Sequence, residues 1–175
     1  MRIIGLAGWS GSGKTTLLTK VIPRIIARGL TVSTLKHAHH DFDIDQPGKD
    51  SHAHRLAGAT EVLIGSGRRW ALVHELRAKD EPPLTALLRK LSPVDLVLIE
   101  GYKREPHPKL EIHRRSLGLP LLATSDPAIV AIASDVALPS AKVPVIALDD
   151  LDRIVDVLIR SAALLDSVLA QAGKP

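Results

Sequence analysis

The chain has 175 residues, a length that predicts one domain covering residues 1–175. Aromatic residues make up 2% of the chain and cysteine is absent, so we expect an aliphatic core and exclude disulfides, cysteine–zinc sites and thiol catalysis. The net charge of +4 suits anionic ligands, but no basic patch is interleaved with aromatic side chains, so nucleic acid is not an expected partner.

The first element in chain order is a short apolar run from Arg2 to Ala7, which predicts a buried strand. The run breaks at Gly8 and does not resemble a signal peptide. No apolar run in the chain approaches the ~20 residues that span a bilayer. These features predict a cytoplasmic protein with no membrane partner.

The next stretch contains the phosphate-loop pattern G-x-x-x-x-G-K-T. Its glycines let backbone N–H groups approach a polyphosphate closely. Lys14 supplies a cation for the β- and γ-phosphates and is a predicted catalytic residue, and the Thr15 hydroxyl is expected to bind Mg²⁺. The predicted nucleotide-binding residues are Gly8, Trp9, Ser10, Gly11, Ser12, Gly13, Lys14, Thr15 and Thr16.

Apolar residues from Leu17 to Ile26 recur at helical spacing, which predicts a helix whose N-terminus points at the phosphates. Pro23 predicts a kink in this helix, and Gly29 predicts its end. A second strand is expected over residues 31–36.

The segment of residues 37–45 allows three interpretations. We favour a nucleotide switch loop in which Asp41, Asp43 or Asp45 reaches Mg²⁺ or orients water, with Asp43 as the predicted catalytic and metal-binding residue. The segment can instead bind a transition metal, although its histidine spacing matches no established ligand pattern. It can also be a polar surface loop. The histidines concerned are His37, His39, His40, His52 and His54.

The remaining pattern predicts an α/β fold of the P-loop NTPase type, with a mainly parallel sheet flanked by helices and an additional β-hairpin. The expected strands are residues 61–65 and 70–74, which form the hairpin, and 94–100, 109–113, 119–123, 128–133 and 143–147. The alternation in residues 109–113 predicts a half-buried strand. Helices are expected near residues 52–57, after Pro83, and over residues 151–169.

Glu100 ends a continuous apolar strand and is the predicted acid beside Mg²⁺, with both a catalytic and a metal-binding role. The alternative is a solvated carboxylate at a strand end. Asp126 and Asp135 follow two later strands and can either accept hydrogen bonds from guanine or serve as turn residues. Three basic pairs are expected to be solvated, and the alternative is that some of them contact an anionic ligand or partner. These pairs are Arg68-Arg69, Lys103-Arg104 and Arg114-Arg115.

Together these motifs resemble the MobB family of molybdopterin-guanine dinucleotide biosynthesis adaptor proteins over nearly the whole chain. The residues that carry the resemblance are Gly8 to Thr16, Lys36-His37, His40-Asp41-Phe42-Asp43, Gly48-Lys49-Asp50-Ser51, Ala57-Gly58-Ala59, Glu100-Gly101-Tyr102-Lys103 and Pro108 to Arg114. The phosphate loop alone is common to many NTPases, so the later segments make the match specific.

The resemblance implies a homodimeric GTP-binding P-loop protein that uses Mg²⁺ and is at most a weak GTPase. It implies a role beside molybdopterin guanylyltransferase, which joins GMP to molybdopterin, so the expected partners are that enzyme and molybdopterin or the molybdenum cofactor. Related dimeric P-loop proteins carry an extra lysine where this chain has Trp9 and Ser10. The residues alone predict a small Mg-dependent NTP-binding protein, with a metallochaperone NTPase or a small-molecule kinase as alternatives.

Overall fold

The structure, a computed structural model, describes residues 1–38 and 42–172 and divides the chain into two compact units. Unit 1 comprises Met1–His37 and Leu84–Pro175, and unit 2 comprises Ala38–Pro83. The strands are β1 (Arg2–Ala7), β2 (Val32–Lys36), β3 (Glu61–Gly65), β4 (Trp70–His74), β5 (Leu96–Glu100), β6 (Lys109–His113), β7 (Ile129–Ser134), β8 (Val145–Ala147) and β9 (Ala163–Leu164). The helices are α1 (Lys14–Ala27), α2 (Asp50–Leu56), α3 (Leu84–Leu88), α4 (Leu151–Ser161) and α5 (Leu165–Ala172).

Unit 1 is built on a sheet in which six strands are parallel and follow the order β2-β5-β1-β6-β7-β8, while β9 pairs antiparallel with β1. One core cluster joins alternate residues of β1 and β5 to α1 and α4, and includes Leu6, Val21 and Leu158. A second cluster joins the intervening residues to α3 and α5, and includes Ile3 and Val168. Helices therefore cover both faces of the sheet, which confirms the predicted fold class.

Helix α1 follows the phosphate loop as predicted and continues through Pro23. The backbone N–H of Gly29 donates to the carbonyl oxygen of Ile26 at 2.9 Å, and Gly29 has a φ of 81°. This left-handed residue ends the helix, as the sequence predicted. Across the part of the chain that the structure describes, no helix is long and apolar enough to cross a membrane.

The prediction of one helix over residues 151–169 is wrong, because the chain leaves the helical conformation at Ala162. The Arg2 guanidinium donates to the carbonyl oxygens of Ala162 at 2.8 Å and 3.0 Å and of Arg160 at 3.1 Å. Strand β9 then pairs antiparallel with Arg2 and Ile3 of β1 before α5 begins. The carbonyl groups of Arg160 and Ala162 would accept hydrogen bonds from backbone N–H groups in a longer helix, and here they accept them from Arg2.

Strand β6 is more buried than its alternating sequence predicted. It lies between β1 and β7, and the side chains of Lys109 and Glu111 are fully buried. Glu111 accepts hydrogen bonds from the backbone N–H groups of Leu122 at 2.8 Å and Ala123 at 2.9 Å. These bonds hold a 3₁₀ turn at Leu122–Thr124, where the sequence predicted a strand. The polar side chains of β6 therefore have internal partners instead of solvent.

Unit 2 contains α2 and the predicted antiparallel hairpin of β3 and β4. The register pairs Leu63 with Leu72 and Gly65 with Trp70 on one face of the hairpin. Leu63 and Trp70 are each 67% exposed and Leu72 is 41% exposed. This exposed apolar face is called the hairpin face below.

Candidate functional site

The phosphate loop begins where β1 ends and leads into α1. Gly8, Gly11 and Gly13 have φ values of 147°, 78° and 93°, which are left-handed conformations that side chains disfavour. A Cβ atom on Gly8 would lie 2.6 Å from the Ser12 hydroxyl oxygen and 2.7 Å from the Ile112 carbonyl oxygen. The glycines are thus required by the path of the loop, and Gly13 directly precedes the first residue of α1.

Lys14 folds back over the loop. Its ammonium group donates to the carbonyl oxygens of Gly8 at 3.0 Å and Trp9 at 2.9 Å. Burial, followed by the positive charge of Lys103, lowers the pKa of Lys14, whereas the nearby carboxylate of Glu100 acts in the opposite direction. The hydrogen-bond partners of Lys14 among the described residues are these neutral carbonyl groups, so an anionic ligand at the loop would provide a stronger partner.

Thr15 and Glu100 meet at the carboxyl end of the sheet, as the sequence predicted. The parallel register places Glu100 of β5 beside Leu6 of β1, one residue before that strand ends. The Thr15 hydroxyl donates to the carboxylate of Glu100 at 3.1 Å from Oε1 and 3.4 Å from Oε2. Hydroxyl and carboxylate oxygens are the hard ligands that Mg²⁺ prefers, so this pair fits the predicted metal.

Two basic residues expected to be solvated contact the loop. The Arg114 guanidinium donates from Nε to the Ser12 carbonyl oxygen at 3.1 Å and lies against Gly13. The Lys103 ammonium lies 4.8 Å from the ring centroid of Trp9. The order of elements could have indicated both residues, because each follows a strand that flanks β1 and ends at the same edge of the sheet.

A cavity of about 410 Å³ adjoins the phosphate loop. It is lined by Gly13, Thr16, Leu17, Lys20, Arg114, Ser134, Asp135, Ala147, Leu148, Asp149 and Leu151. Asp135 thus borders the cavity, and one of its oxygens accepts the backbone N–H of Arg115 at 3.0 Å. Asp126, the other base-reading candidate, instead pairs with the buried Lys109 at 3.2 Å and is not among the lining residues. Asp149, another lining residue, was not predicted from the sequence as a residue of the site.

In unit 2, the Arg55 guanidinium forms ion pairs with three carboxylates. It contacts Asp43 at 2.6 Å, Asp45 at 3.1 Å and Glu75 at 2.8 Å. The backbone N–H of Asp45 and then the Arg55 guanidinium lower the pKa of Asp43 below its usual value. Asp43 therefore has a partner within unit 2, and its predicted metal and catalytic role stays a prediction.

Three residues of the histidine- and aspartate-rich segment, His39, His40 and Asp41, lie outside the described residues. Within residues 1–38 and 42–172, no group of three or more histidine, cysteine, aspartate or glutamate side chains is arranged to hold a metal ion.

Comparison with known proteins gives a consistent result. Residues 3–135 match the model of the family described as molybdopterin guanine dinucleotide synthesis protein B, MobB. The molybdopterin-guanine dinucleotide biosynthesis adapter protein of Escherichia coli strain K12 is 39% identical over 160 residues, which cover 90% of this chain and 91% of the relative. The Haemophilus influenzae protein of the same name is 40% identical over 78% of this chain and 76% of its own length.

Solved structures agree with the sequence relatives. A crystal structure of molybdopterin-guanine biosynthesis protein B has a TM-score of 0.69 and 26% identity, and covers 88% of this chain and 94% of its own. The crystal structure of Bacillus subtilis MobB has a TM-score of 0.67 and 26% identity, and covers 93% of this chain and 98% of its own.

Proposed function

Because the chain belongs to the MobB family of molybdopterin guanine dinucleotide synthesis proteins, we propose that it is a GTP-binding adapter that assists the attachment of GMP to molybdopterin. The observation that carries the nucleotide part of this proposal is the phosphate loop, with Lys14 at its mouth and the Thr15–Glu100 pair beside it. The adapter role is the one named for the curated relatives.

We assign the phosphates to the loop residues from Gly8 to Thr16 and the nucleoside to the adjoining cavity. Lys14 would leave its carbonyl partners for the β- and γ-phosphates. Thr15 and Glu100 would hold Mg²⁺, which supplies charge neutralisation for the phosphates when bound. Asp135 and Asp149 are carboxylates at the cavity that can accept the N1–H and N2–H₂ donors of guanine.

We propose that the isolated protein hydrolyses GTP slowly, well below the ~10 s⁻¹ that is typical of enzymes. Fast hydrolysis needs a positioned water and a cation on the developing charge, and an arginine supplied by a partner can contribute about 10³–10⁵ in rate. In this proposal the partner is molybdopterin guanylyltransferase, and molybdopterin or the molybdenum cofactor is the molecule on which both proteins act. The cytoplasmic location remains a prediction from the sequence.

We propose that two copies of the chain associate as the homodimer that the resemblance implies, and that the hairpin face takes part. Leu63, Trp70 and Leu72 form a contiguous apolar surface on a two-stranded sheet. Such a surface is expected to be covered in the functional assembly, since large exposed apolar patches are typical of interaction sites.

A coupled synthesis assay tests the adapter role. Guanylyltransferase and GTP are held limiting, molybdopterin is supplied, and the yield of the guanine dinucleotide cofactor is measured with wild type, Lys14→Ala or no added protein. Wild type should raise the yield, and Lys14→Ala should not, because it lacks the cation for the phosphates.

An unchanged yield in every arm would contradict the adapter role. Stoichiometric, tight Zn or Ni binding would then favour the metallochaperone alternative, and transfer of a γ-phosphate to an acceptor would favour the kinase. The relatives support neither alternative, since they are named as adapter proteins of this pathway.

A further inference from the structure

The turn that follows β5 has a constrained backbone. Gly101 has a φ of 98°, and a Cβ atom there would lie 2.6 Å from the Cβ atom of His37. Tyr102 also has a positive φ, 50°, which is uncommon for a residue with a side chain. Its ring packs edge to face on His37 with 4.9 Å between centroids. Strained residues that the surrounding structure holds in place are typical of functional sites.

This turn places Lys103 above the phosphate loop. The Lys103 ammonium lies 4.8 Å from the centroid of the Trp9 ring, within the range of a cation–π contact. The Trp9 indole N–H donates to the carbonyl oxygen of Pro120 at 2.8 Å, so the ring that carries the ammonium is itself fixed. Trp9 is the second residue of the loop pattern, and Lys103 is thus a further cation at the loop besides Lys14 and Arg114.

The charges around the loop are unbalanced. Lys36, Lys103 and Glu100 all influence the pKa of Lys14, and the two lysines lower it while the carboxylate raises it. Among the described residues, the charged groups that influence Lys14 are thus two lysines and one glutamate. Two like charges near each other disfavour the charged form unless an anion lies between them or close by. This surplus of positive charge around Lys14 is suited to an anionic ligand.

We propose that Lys103 binds the terminal phosphate of a bound nucleoside triphosphate, and that its ammonium exchanges the Trp9 ring for that phosphate. This inference rests on the proposed function, in which the loop binds the nucleotide. A lysine ammonium on a flexible four-carbon stem can make such a move. The exchange replaces a cation–π contact with a charge-assisted hydrogen bond to the γ-phosphate. A nucleoside diphosphate has no γ-phosphate and therefore cannot accept this hydrogen bond.

Calorimetric titration with Mg²⁺ and either a non-hydrolysable GTP analogue or GDP tests the assignment. Lys103→Gln should weaken binding of the triphosphate analogue by about tenfold to a hundredfold, the effect of losing one charge-assisted bond. Its affinity for GDP should stay within about twofold of wild type, and Lys103→Arg should restore most of the triphosphate affinity.

Lys36→Gln is the matched control, because it removes the same charge from the same end of the sheet. An equal loss in Lys36→Gln and Lys103→Gln, an equal loss for both nucleotides, or no loss at all would each overturn the inference. Wild type that binds neither nucleotide would instead contradict the proposed function, and the inference with it.

Tryptophan fluorescence supplies an independent readout. The chain has two tryptophans, so Trp70→Phe leaves Trp9 as the only reporter. In that background the triphosphate analogue should change the Trp9 emission in a way that GDP does not, because the ammonium leaves the ring. The additional change Lys103→Gln should abolish the difference between the two nucleotides. A difference that persists without Lys103 would contradict the exchange.

Discussion

Lys14 and Lys109 lie in the same unit, on α1, which follows β1 in the chain, and on β6, which pairs with β1 in the sheet. The two ammonium groups differ in burial and in the charge of their partners. Lys14 begins α1, donates to two neutral carbonyl groups within the part of the chain that the structure describes, and has a second lysine nearby. Lys109 begins β6, is fully buried, and pairs with Asp126 at 3.2 Å while also donating to the Glu105 carbonyl oxygen. The charge of Lys109 is neutralised inside the protein, whereas Lys14 has carbonyl groups as its hydrogen-bond partners among the described residues, as expected for a cation that binds an anionic ligand.

The difference teaches how to separate a binding cation from a structural one. A buried ion pair has already replaced its water with protein partners, and removing one member leaves a buried charge without compensation. A cation at an open loop with only dipolar partners loses little in the folded protein when it is replaced. Stability and ligand affinity should therefore respond to the two lysines in opposite ways.

The largest expected effect follows from replacing each lysine in turn. Lys109→Met should lower the free energy of unfolding by about 3 kcal/mol, the lower end of the range for a broken buried pair, because Asp126 loses its cation but is itself 24% exposed. Lys14→Ala should change it by only about 0.5 kcal/mol, the usual range for sites without buried partners. Urea unfolding at neutral pH measures both values.

The double variant Lys109→Met, Asp126→Asn is the control for this comparison. It should recover part of the lost stability, because the asparagine carries no charge that needs a partner. The Ala128 N–H donates to Asp126 at 2.9 Å, and the asparagine oxygen can still accept this hydrogen bond. Equal stability losses in Lys14→Ala and Lys109→Met would remove the distinction.

The second effect concerns His107, next to the buried pair. Both ring nitrogens lack a hydrogen-bond partner among the described residues, and burial, followed by the charge of Lys109, lowers the pKa of His107 from 6.5 to about 4. The unfolded chain therefore binds a proton between about pH 6.5 and pH 4 that the folded protein does not. This contribution to stability, at most about 3 kcal/mol, is present above pH 6.5 and is lost as the pH falls towards 4.

His107→Leu should remove that dependence on pH with little cost at pH 7, since no hydrogen bond is lost. Urea midpoints at pH 7, 6, 5 and 4 for wild type and His107→Leu measure the effect. Parallel curves for the two proteins would show that His107 does not titrate as its environment requires.

The smallest expected effect extends the comparison to two glutamates. Glu100→Gln should leave the free energy of unfolding unchanged. It should reduce the gain in GTP-binding free energy that Mg²⁺ provides by roughly 1.5–3 kcal/mol, and it should slow hydrolysis. Glu111→Gln should instead lower stability, because its buried carboxylate accepts two backbone N–H groups. If Glu100→Gln hydrolyses GTP at the wild-type rate across a Mg²⁺ titration, Glu100 is a solvated carboxylate without a role in metal binding.

The parts of the site that the sequence predicted depend on short-range patterns. The spacing of Gly8, Gly13, Lys14 and Thr15 is local, and a continuous apolar run identified the strand that ends at Glu100. Such local patterns can be recognised without knowledge of the tertiary contacts, so the fold class and the Thr15–Glu100 contact were predicted correctly.

The features that were missed depend on partners distant in the chain. Alternation in β6 predicted exposed polar side chains, because the pattern does not reveal that Glu111 binds a turn 11 residues later. Apolar periodicity extended the last helix because it does not show that Arg2 bonds the backbone at Ala162. The cavity beside the loop joins residues from four separate segments, and Arg114 reaches it from a position 102 residues after Ser12.

The pairing of β1 with β9 has a consequence for the synthesis of the chain. β1 is synthesised before Ala162, which the Arg2 guanidinium binds and which is 160 positions later. Arg2 and Ile3 therefore present an open strand edge until β9 has been synthesised. An open edge is a template for pairing with other chains. Products that stop before residue 163 should consequently aggregate more than longer ones, because β9 covers an edge of a strand that is synthesised much earlier.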